Sequence, residues 1–215
     1  MGITQRKVQV DMHQRELEAD LRRYADEALA LGASRAAVVP VDDIPVDDRV
    51  TLKCQIPRCF GYGVSANCPP NTLKPAELRE LLTGYRWAVF VSLDVPPDVI
   101  VRNKATIEER VGAYQKVFDI VAAIESRAFY DGHYLAFGLA AGSCRHTYCS
   151  LAKDCAALNG ERCRFPLKSR PSMEAVGIDV FRMAARLGWD MYPTGSAITA
   201  EEAQCGSLCG LVVVQ

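Results

Sequence analysis

Apolar residues recur along the chain with two periodicities, one typical of helices and one typical of strands. Over residues 13–31 they fall on one helical face, and the same spacing returns over residues 105–129. A continuous apolar run at residues 87–95 is typical of a strand in the centre of a sheet. Shorter runs of strand length occur at residues 8–12, 36–41, 50–54, 134–139 and 211–214.

Proline, glycine and capping residues mark where several elements begin and end. Pro75 suits the first turn of a short helix that continues to residue 82. Ser172 and Asp179 are good N-caps, and Gly177 between them divides this region into two short helices. The proline within the run at residues 36–41 places that strand near a sheet edge.

The order of these elements predicts an α/β fold with a single layered domain over residues 1–215. We expect a mixed β-sheet with flanking helices and two to three cysteine-rich metal-binding loops. Two of the cysteine-rich stretches each follow a predicted strand, so one shared edge of the sheet would bring them together. The sequence contains no internal repeat, low-complexity segment or linker.

Composition and charge are those of an ordinary globular protein, with 49% hydrophobic and 24% charged residues and a net charge of −1. A chain so close to neutrality lacks the global field that attracts nucleic acid or an anionic membrane. No apolar run reaches transmembrane length, and the N-terminal stretch lacks the apolar core of a signal peptide. We therefore predict a cytoplasmic protein that binds neither nucleic acid nor membrane.

Nine cysteines dominate the candidate chemistry. An odd number cannot pair completely, and the cytoplasm keeps thiols reduced, which disfavours disulfides. An isolated cysteine is ordinarily a small buried apolar residue, but sets of cysteines in turn-rich sequence indicate metal ligands. The candidate ligands are Cys54, Cys59 and Cys68 in the three-cysteine loop, Cys144, Cys149, Cys155 and Cys163 in the four-cysteine segment, and the tail pair Cys205 and Cys209.

The spacing of these thiols favours an iron–sulfur cluster over zinc. The three-cysteine loop reads C-x4-C-x8-C, the four-cysteine segment C-x4-C-x5-C-x7-C and the tail pair C-x3-C. The C-x2-C spacing of many zinc sites and of bacterial ferredoxins does not occur. Irregular spacing suits a cluster, because its iron corners are spread more widely than the coordination sphere of one ion. Cys68 also precedes a proline, as a ligand cysteine does in two-cluster ferredoxin runs.

Basic residues surround the four-cysteine segment and exceed the acidic ones there. Nearby cations lower the cost of the negative charge that four thiolates leave around a metal. Arg145, Arg164 and Arg170 are therefore the candidate cofactor-binding residues; the alternatives are solvated charges or an anchor for an anionic ligand. His146, within the segment, is either a ligand or a partly exposed polar residue. No nucleotide-binding glycine loop and no serine nucleophile motif occurs.

The chain resembles the uncharacterised, cysteine-rich predicted metal-binding proteins of anaerobic bacteria and archaea, a domain of unknown function. The resemblance rests on CQIPRCFGYGVSANCPPNT, on CRFPLKSRPSMEAVGID and on the close GLVVV, and it spans essentially the whole chain. It implies that seven cysteines, those of the three-cysteine loop and the four-cysteine segment, are the core ligands. Many family members have a tighter C-x2-C spacing, and the tail pair is not general in the family. The resemblance implies metal and a redox setting, without a reaction.

We therefore predict an iron–sulfur redox protein with one or two 4Fe–4S clusters, either an electron carrier or an enzyme with an open cluster site. Its partner would be a redox protein or a small-molecule substrate. If Cys205 or Cys209 completes the three-cysteine loop, both clusters are closed; otherwise one iron is open to substrate. The alternatives are a structural zinc-binding module and a metal or cluster delivery protein that uses the tail pair.

Overall fold

A four-stranded sheet forms the middle layer of the protein in the computed structural model, which describes residues 5–9, 13–101, 105–194 and 197–214. Its spatial order is β1-β2-β4-β3, and the pairs between these strands are antiparallel. A single parallel bridge, between Ala140 and Ser172, extends the edge beyond β3. The strands are β1 (Arg35–Pro40), β2 (Trp87–Val95), β3 (Phe137–Leu139) and β4 (Gly206–Val214).

Helices cover both faces of the sheet. Short 3-10 turns lie at Val41–Asp43, Ala156–Asn159 and Glu174–Val176. The α-helices are α1 (Gln14–Ala30), α2 (Asp48–Gln55), α3 (Pro75–Leu82), α4 (Pro97–Val101), α5 (Ile107–Tyr130), α6 (Cys144–Tyr148) and α7 (Val180–Arg186). None of these helices, in the described part of the chain, is long and apolar enough to cross a membrane. The predicted α/β class, with helices flanking a sheet, is confirmed.

Alternate residues of the sheet enter two separate hydrophobic cores. Val89 of β2 and Val212 of β4 pack on one face against α1 and α5. Phe90 and Leu211, the next residues on these strands, pack on the other face with residues of α3 and α7. Because side chains alternate along a strand, the continuous apolar run of β2 is buried on both faces. The fold is thus helices, sheet and helices in three layers.

Several predicted elements were placed well. Helix α3 begins at Pro75, and β1 is an edge strand. Asp179 accepts a hydrogen bond from the backbone N–H of Arg182 at 3.0 Å and so caps α7.

Two predicted strands differ from the structure. The strand predicted at residues 134–139 is shorter, since β3 spans Phe137–Leu139. Of the strand predicted at residues 8–12, positions 10–12 lie outside the described residues, and residues 5–9 form no strand.

Two predictions around the cysteines were wrong. Residues 50–54 form part of α2, and the backbone N–H of Arg49 donates to the Asp47 side chain at 2.9 Å, which caps this helix. The apolar alternation there was misleading, because α2 contains no buried residue. Cys209, which precedes the final strand predicted at residues 211–214, instead lies in β4 opposite Ser92. Strand β4 therefore starts before the apolar run that the sequence makes visible.

Backbone pairing holds both ends of the four-cysteine segment together. The backbone N–H of Ala140, just after β3, donates to the carbonyl of Pro171 at 2.9 Å. The N–H of Met173 in turn donates to the carbonyl of Ala140 at 3.1 Å. The chain therefore leaves the sheet edge, forms the four-cysteine segment and returns to the same edge.

Candidate metal centres

The first half of the four-cysteine segment is a single helical turn that begins at a glycine bend. Gly142 has φ +69°, and α6 follows, with the carbonyl of Ser143 accepting from the N–H of Thr147 at 3.1 Å. Cys144 occupies the first position of α6, and Cys149 directly follows its last residue. The helix thus places two thiols at its two ends.

The second half brings the other two thiols back towards the first. Cys155 precedes the 3-10 turn Ala156–Asn159, which ends at Gly160 with φ +79°. The N–H of Glu161 donates to the carbonyl of Ala156 at 3.0 Å and so reverses the chain before Cys163. The left-handed conformation at Gly160 suits a residue that lacks a Cβ.

All four cysteines of the segment line one cavity of about 240 Å³. Part of its wall is aromatic, since Tyr148 stacks on Phe165 with ring centroids 5.1 Å apart. The volume greatly exceeds the roughly 10–15 Å³ that one water molecule requires. Four soft donor atoms around a partly apolar cavity are suited to a thiolate-ligated metal group.

Hydrogen-bond donors point at two of these sulfur atoms. The backbone N–H of Phe165 donates to Cys163 Sγ at 3.4 Å, and Asn67 Nδ2 donates to Cys144 Sγ at 3.5 Å. Such bonds favour the thiolate form that binds metal. Burial raises the pKa of Cys149, and the neighbouring Cys144 adds to this while Arg164 opposes it. Metal binding here must therefore displace thiol protons.

The three candidate arginines lie in different places. Arg145 and Arg164 line the cavity, and they donate to the backbone carbonyls of Ala152 at 2.5 Å and Asp154 at 2.8 Å. Arg170 instead forms a two-pronged ion pair with Glu125 of α5, at 2.6 and 2.9 Å. The first two arginines contribute positive charge to the cavity, and the third fixes the segment to α5.

The three-cysteine loop follows α2 and faces a second cavity. Cys54 lies in the last turn of α2, and the N–H of Cys59 donates to its carbonyl at 2.9 Å. Both thiols line a cavity of about 520 Å³. The N–H of Gly61 donates to Cys59 Sγ at 3.4 Å. Burial, followed by the neighbouring Cys59 and Cys68, raises the pKa of Cys54 to about 11.

The structure brings the two cysteine-rich stretches into contact. Cys68 Sγ donates to Ser143 Oγ at 3.4 Å, and the ring of Phe60 packs edge-on against His146 with centroids 4.6 Å apart. The expected proximity is therefore present, but its cause differs from the prediction. The four-cysteine segment follows β3, whereas the three-cysteine loop follows α2 and not a strand.

The tail pair lies apart from both cavities, within the residues that the structure describes. Cys209 is 5% exposed and belongs to the hydrophobic core on the α3 and α7 face. Burial raises its pKa to about 12. Cys205 Sγ lies 4.0 Å from the carbonyl oxygen of Asp190. The structure thus groups seven of the nine cysteines around the two cavities and their junction.

Sequence reasoning missed one acidic residue at the second cavity. Glu174 lines the cavity together with Cys54 and Cys59. The residue is exposed to solvent, so its carboxylate is accessible at this cavity. Besides the cap Asp179, Glu174 is the only acid in RPSMEAVGID, which belongs to one of the strings that carry the family resemblance.

In the portion of the chain that is described, no three His, Cys, Asp or Glu side chains converge on one point as ligands of a single ion would. The four thiols of the four-cysteine segment instead line one cavity, and Cys54 and Cys59 line the other. No curated protein and no solved structure matches the chain. A family described as predicted metal-binding proteins does match, over residues 37–212, which include both cavities. The chain therefore belongs to this family of predicted metal-binding proteins, DUF2284.

Proposed function

We propose that the protein is an iron–sulfur redox protein whose four-cysteine segment binds one 4Fe–4S cluster. The observation that carries this proposal is the single cavity lined by Cys144, Cys149, Cys155 and Cys163. Four thiolates are the ligand set of such a cluster. Eight inorganic atoms need a cavity between the thiols, whereas one zinc ion needs the sulfur atoms close together.

Charge and hydrogen bonding around this cavity support the same proposal. A cluster held by four thiolates carries net negative charge, and Arg145 and Arg164 line the cavity. The N–H groups directed at Cys163 and Cys144 would stabilise sulfur-bound negative charge. Hydrogen bonds to sulfur also tune the reduction potential of a cluster.

We assign the second centre to Cys54, Cys59 and Cys68. Since the tail pair lines neither cavity in the described residues, this centre would have three thiolate ligands. The contact between Cys68 and Ser143, next to Cys144, supports an arrangement in which the two proposed centres would lie side by side. The four-cysteine cluster would exchange electrons with a redox partner, and the second centre would meet a small-molecule substrate.

Metal and sulfide analysis of anaerobically purified protein, with its visible spectrum, tests this function. We expect about eight irons with matching sulfide per chain. Cys155→Ala and Cys59→Ala should each remove about four irons and leave the other cluster in place. Zinc without sulfide would contradict the iron–sulfur assignment and indicate a structural metal module. About four irons in the wild type would confine the cluster to one set of cysteines.

A further inference from the structure

We propose that Glu174 supplies the fourth protein ligand of the three-cysteine centre, and that its carboxylate gives way there to a small anionic ligand. This inference rests on the proposed function, because it concerns the second of the two clusters. It names a residue outside the cysteine sets and a class of ligand for the cavity beside it. Three observations support it: the shared cavity, the fixed backbone turn that carries Glu174 and the charged groups that line the cavity.

Backbone pairing places Glu174 opposite the cysteines that end α2 and begin the loop. The residues flanking α2 and the 3-10 turn Glu174–Val176 are joined by an antiparallel bridge between Val46 and Ile178. The N–H of Asp47 donates to the carbonyl of Gly177 at 2.8 Å beside this bridge. The carboxylate and the thiols of Cys54 and Cys59 therefore face one cavity of about 520 Å³.

The turn that carries Glu174 is held rigidly. Ser172 is buried, and its hydroxyl accepts from the backbone N–H of Ala175 at 3.1 Å. Gly177 ends the turn with φ +95°, and a Cβ at that position would lie 2.7 Å from Pro75. Ligand residues whose orientation is fixed by hydrogen bonds and packing are pre-organised for metal binding.

The carboxylate shares its cavity with two cations, Arg49 and Lys53. Among the residues that the structure describes, neither forms an ion pair with Glu174, and Arg49 is paired with Asp47 at 2.5 Å. Thiolates at Cys54 and Cys59 together with this carboxylate would repel one another across the cavity. A metal centre between them removes that repulsion.

The chemistry of a carboxylate explains why the Glu174 ligand would exchange with another anion. Iron bound by thiolates is a soft site, and a carboxylate is a harder ligand than the sulfur it replaces. Lys53, which also lines the cavity, would attract a small anion to the same place. The second cluster would then have one iron that differs from the other three and that binds an added anion.

The experiment isolates the second cluster in the full-length chain. Cys155→Ala combined with Cys163→Ala removes two ligands of the first cluster and serves as the parent. Glu174→Gln and Glu174→Cys are then compared with it, and Glu161→Gln, an exposed acid of the four-cysteine segment, is the matched control. Mössbauer spectroscopy counts distinct irons, and EPR follows the titration of the reduced cluster with cyanide.

We expect one distinct iron in four for the parent and a cyanide-dependent EPR change. Glu174→Gln should bind cyanide about 10-fold more tightly, because the competing carboxylate is gone, and Glu161→Gln should match the parent. Glu174→Cys should make all four irons equivalent and abolish the cyanide response. If the parent variant folds poorly, the Glu174 variants can be made in the chain that keeps all nine cysteines. Both clusters are then present, and the distinct iron is counted as one in eight.

The two levels of the proposal fail differently. Iron and sulfide present in the expected amounts, with cyanide affinity and Mössbauer spectra unchanged in both Glu174 variants, would overturn the role of Glu174 alone. A wild-type protein without iron and sulfide would overturn the iron–sulfur function and this inference together.

Discussion

The thiol of Cys68 donates a hydrogen bond to the hydroxyl of Ser143 at 3.4 Å, at the junction of the two cysteine-bearing stretches. A second cysteine–serine contact joins the same two stretches in the opposite sense: Cys144 Sγ of the four-cysteine segment is 3.9 Å from Ser65 Oγ of the three-cysteine loop. Each serine thus belongs to the stretch opposite the cysteine it contacts. Ser65 and Ser143 are buried, so these hydroxyls form a small polar junction between the two proposed clusters.

Removing the Ser143 hydroxyl is expected to lower the reduction potential of the cluster bound by Cys68. Once metal deprotonates this thiol, the hydroxyl becomes the donor and stabilises the more negative, reduced cluster. A hydrogen bond worth about 1 kcal/mol corresponds to roughly 40 mV for one electron. Ser143→Ala should shift the potential down by about this amount in an EPR-monitored redox titration. Ser150→Ala, an exposed serine nearby, is the control; an unchanged or raised potential in Ser143→Ala would refute the assignment.

The tail pair is expected to leave iron content unchanged when it is removed. Cys209→Ala deletes a buried sulfur from the core and should cost about 1 kcal/mol of unfolding free energy. Cys205→Ala should change stability by less than about 0.5 kcal/mol. Both variants should keep the iron and sulfide of the wild type after anaerobic purification. Loss of iron from either would mean that the tail closes a cluster.

Local sequence patterns predicted the structure correctly where a segment and its near neighbours determine it. Strand β2 spans Trp87–Val95, as its apolar run predicted, because it is buried on both faces. Pro75 and Asp179 begin helices, since the chemistry of a first turn depends on near neighbours. The grouping of cysteines into a loop and a segment also required only their spacing.

Long-range pairing explains what the sequence did not reveal. Cys209 is in a strand because β4 pairs with β2, where it lies opposite Ser92. Cys54 is on a helix because the Asp47 cap outweighs a short alternating pattern. Glu174 lines the same cavity as Cys54 and Cys59 because Val46 and Ile178, which are distant in sequence, form a bridge. No local pattern marks such contacts.

An ion-pair network far from the cysteines gives the protein an acid-dependent component of stability. Asp20 of α1 is 3% exposed and contacts His133, Arg6 and Arg23. Burial alone would raise the pKa of Asp20, but the hydrogen bonds and charges of these partners outweigh it and lower the pKa. The stabilisation is therefore complete above the unfolded value of about 4 and is lost as pH falls through the lower folded value.

Asp20→Asn should lower the unfolding free energy at pH 7 by about 1–2 kcal/mol, because buried His133 and the partly exposed Arg6 and Arg23 lose a charged acceptor. The loss is moderate because Arg6 keeps its pair with Glu16 and Arg23 keeps its pair with Asp131. The difference between wild type and variant should shrink as the pH falls below about 4, because the Asp20 carboxyl of the unfolded wild type takes up a proton there before the folded one does. Urea unfolding at a series of pH values measures this difference. Asp26→Asn, an exposed position on the same helix, should show little effect at any pH. A difference for Asp20→Asn that stays constant with pH would argue against a charged role.

Gly142, just before the four-cysteine segment, and Gly160, within it, both have a left-handed backbone conformation. Replacement by alanine is expected to destabilise the protein more at Gly142 than at Gly160. At Gly142, φ is +69° and a Cβ would lie 2.6 Å from the Tyr114 ring, whereas at Gly160, φ is +79° and nothing lies within 4 Å. Gly160→Ala should therefore cost only the backbone strain, about 1 kcal/mol. Gly142→Ala adds a steric clash and should cost about 2–4 kcal/mol. Urea unfolding of the two variants measures the contrast. Since Gly142 lies two residues before Cys144, the clash should also lower the iron content of the first cluster, whereas Gly160→Ala should retain it. Equal iron losses in both variants would show that backbone strain alone, and not the Tyr114 contact, sets the position of α6.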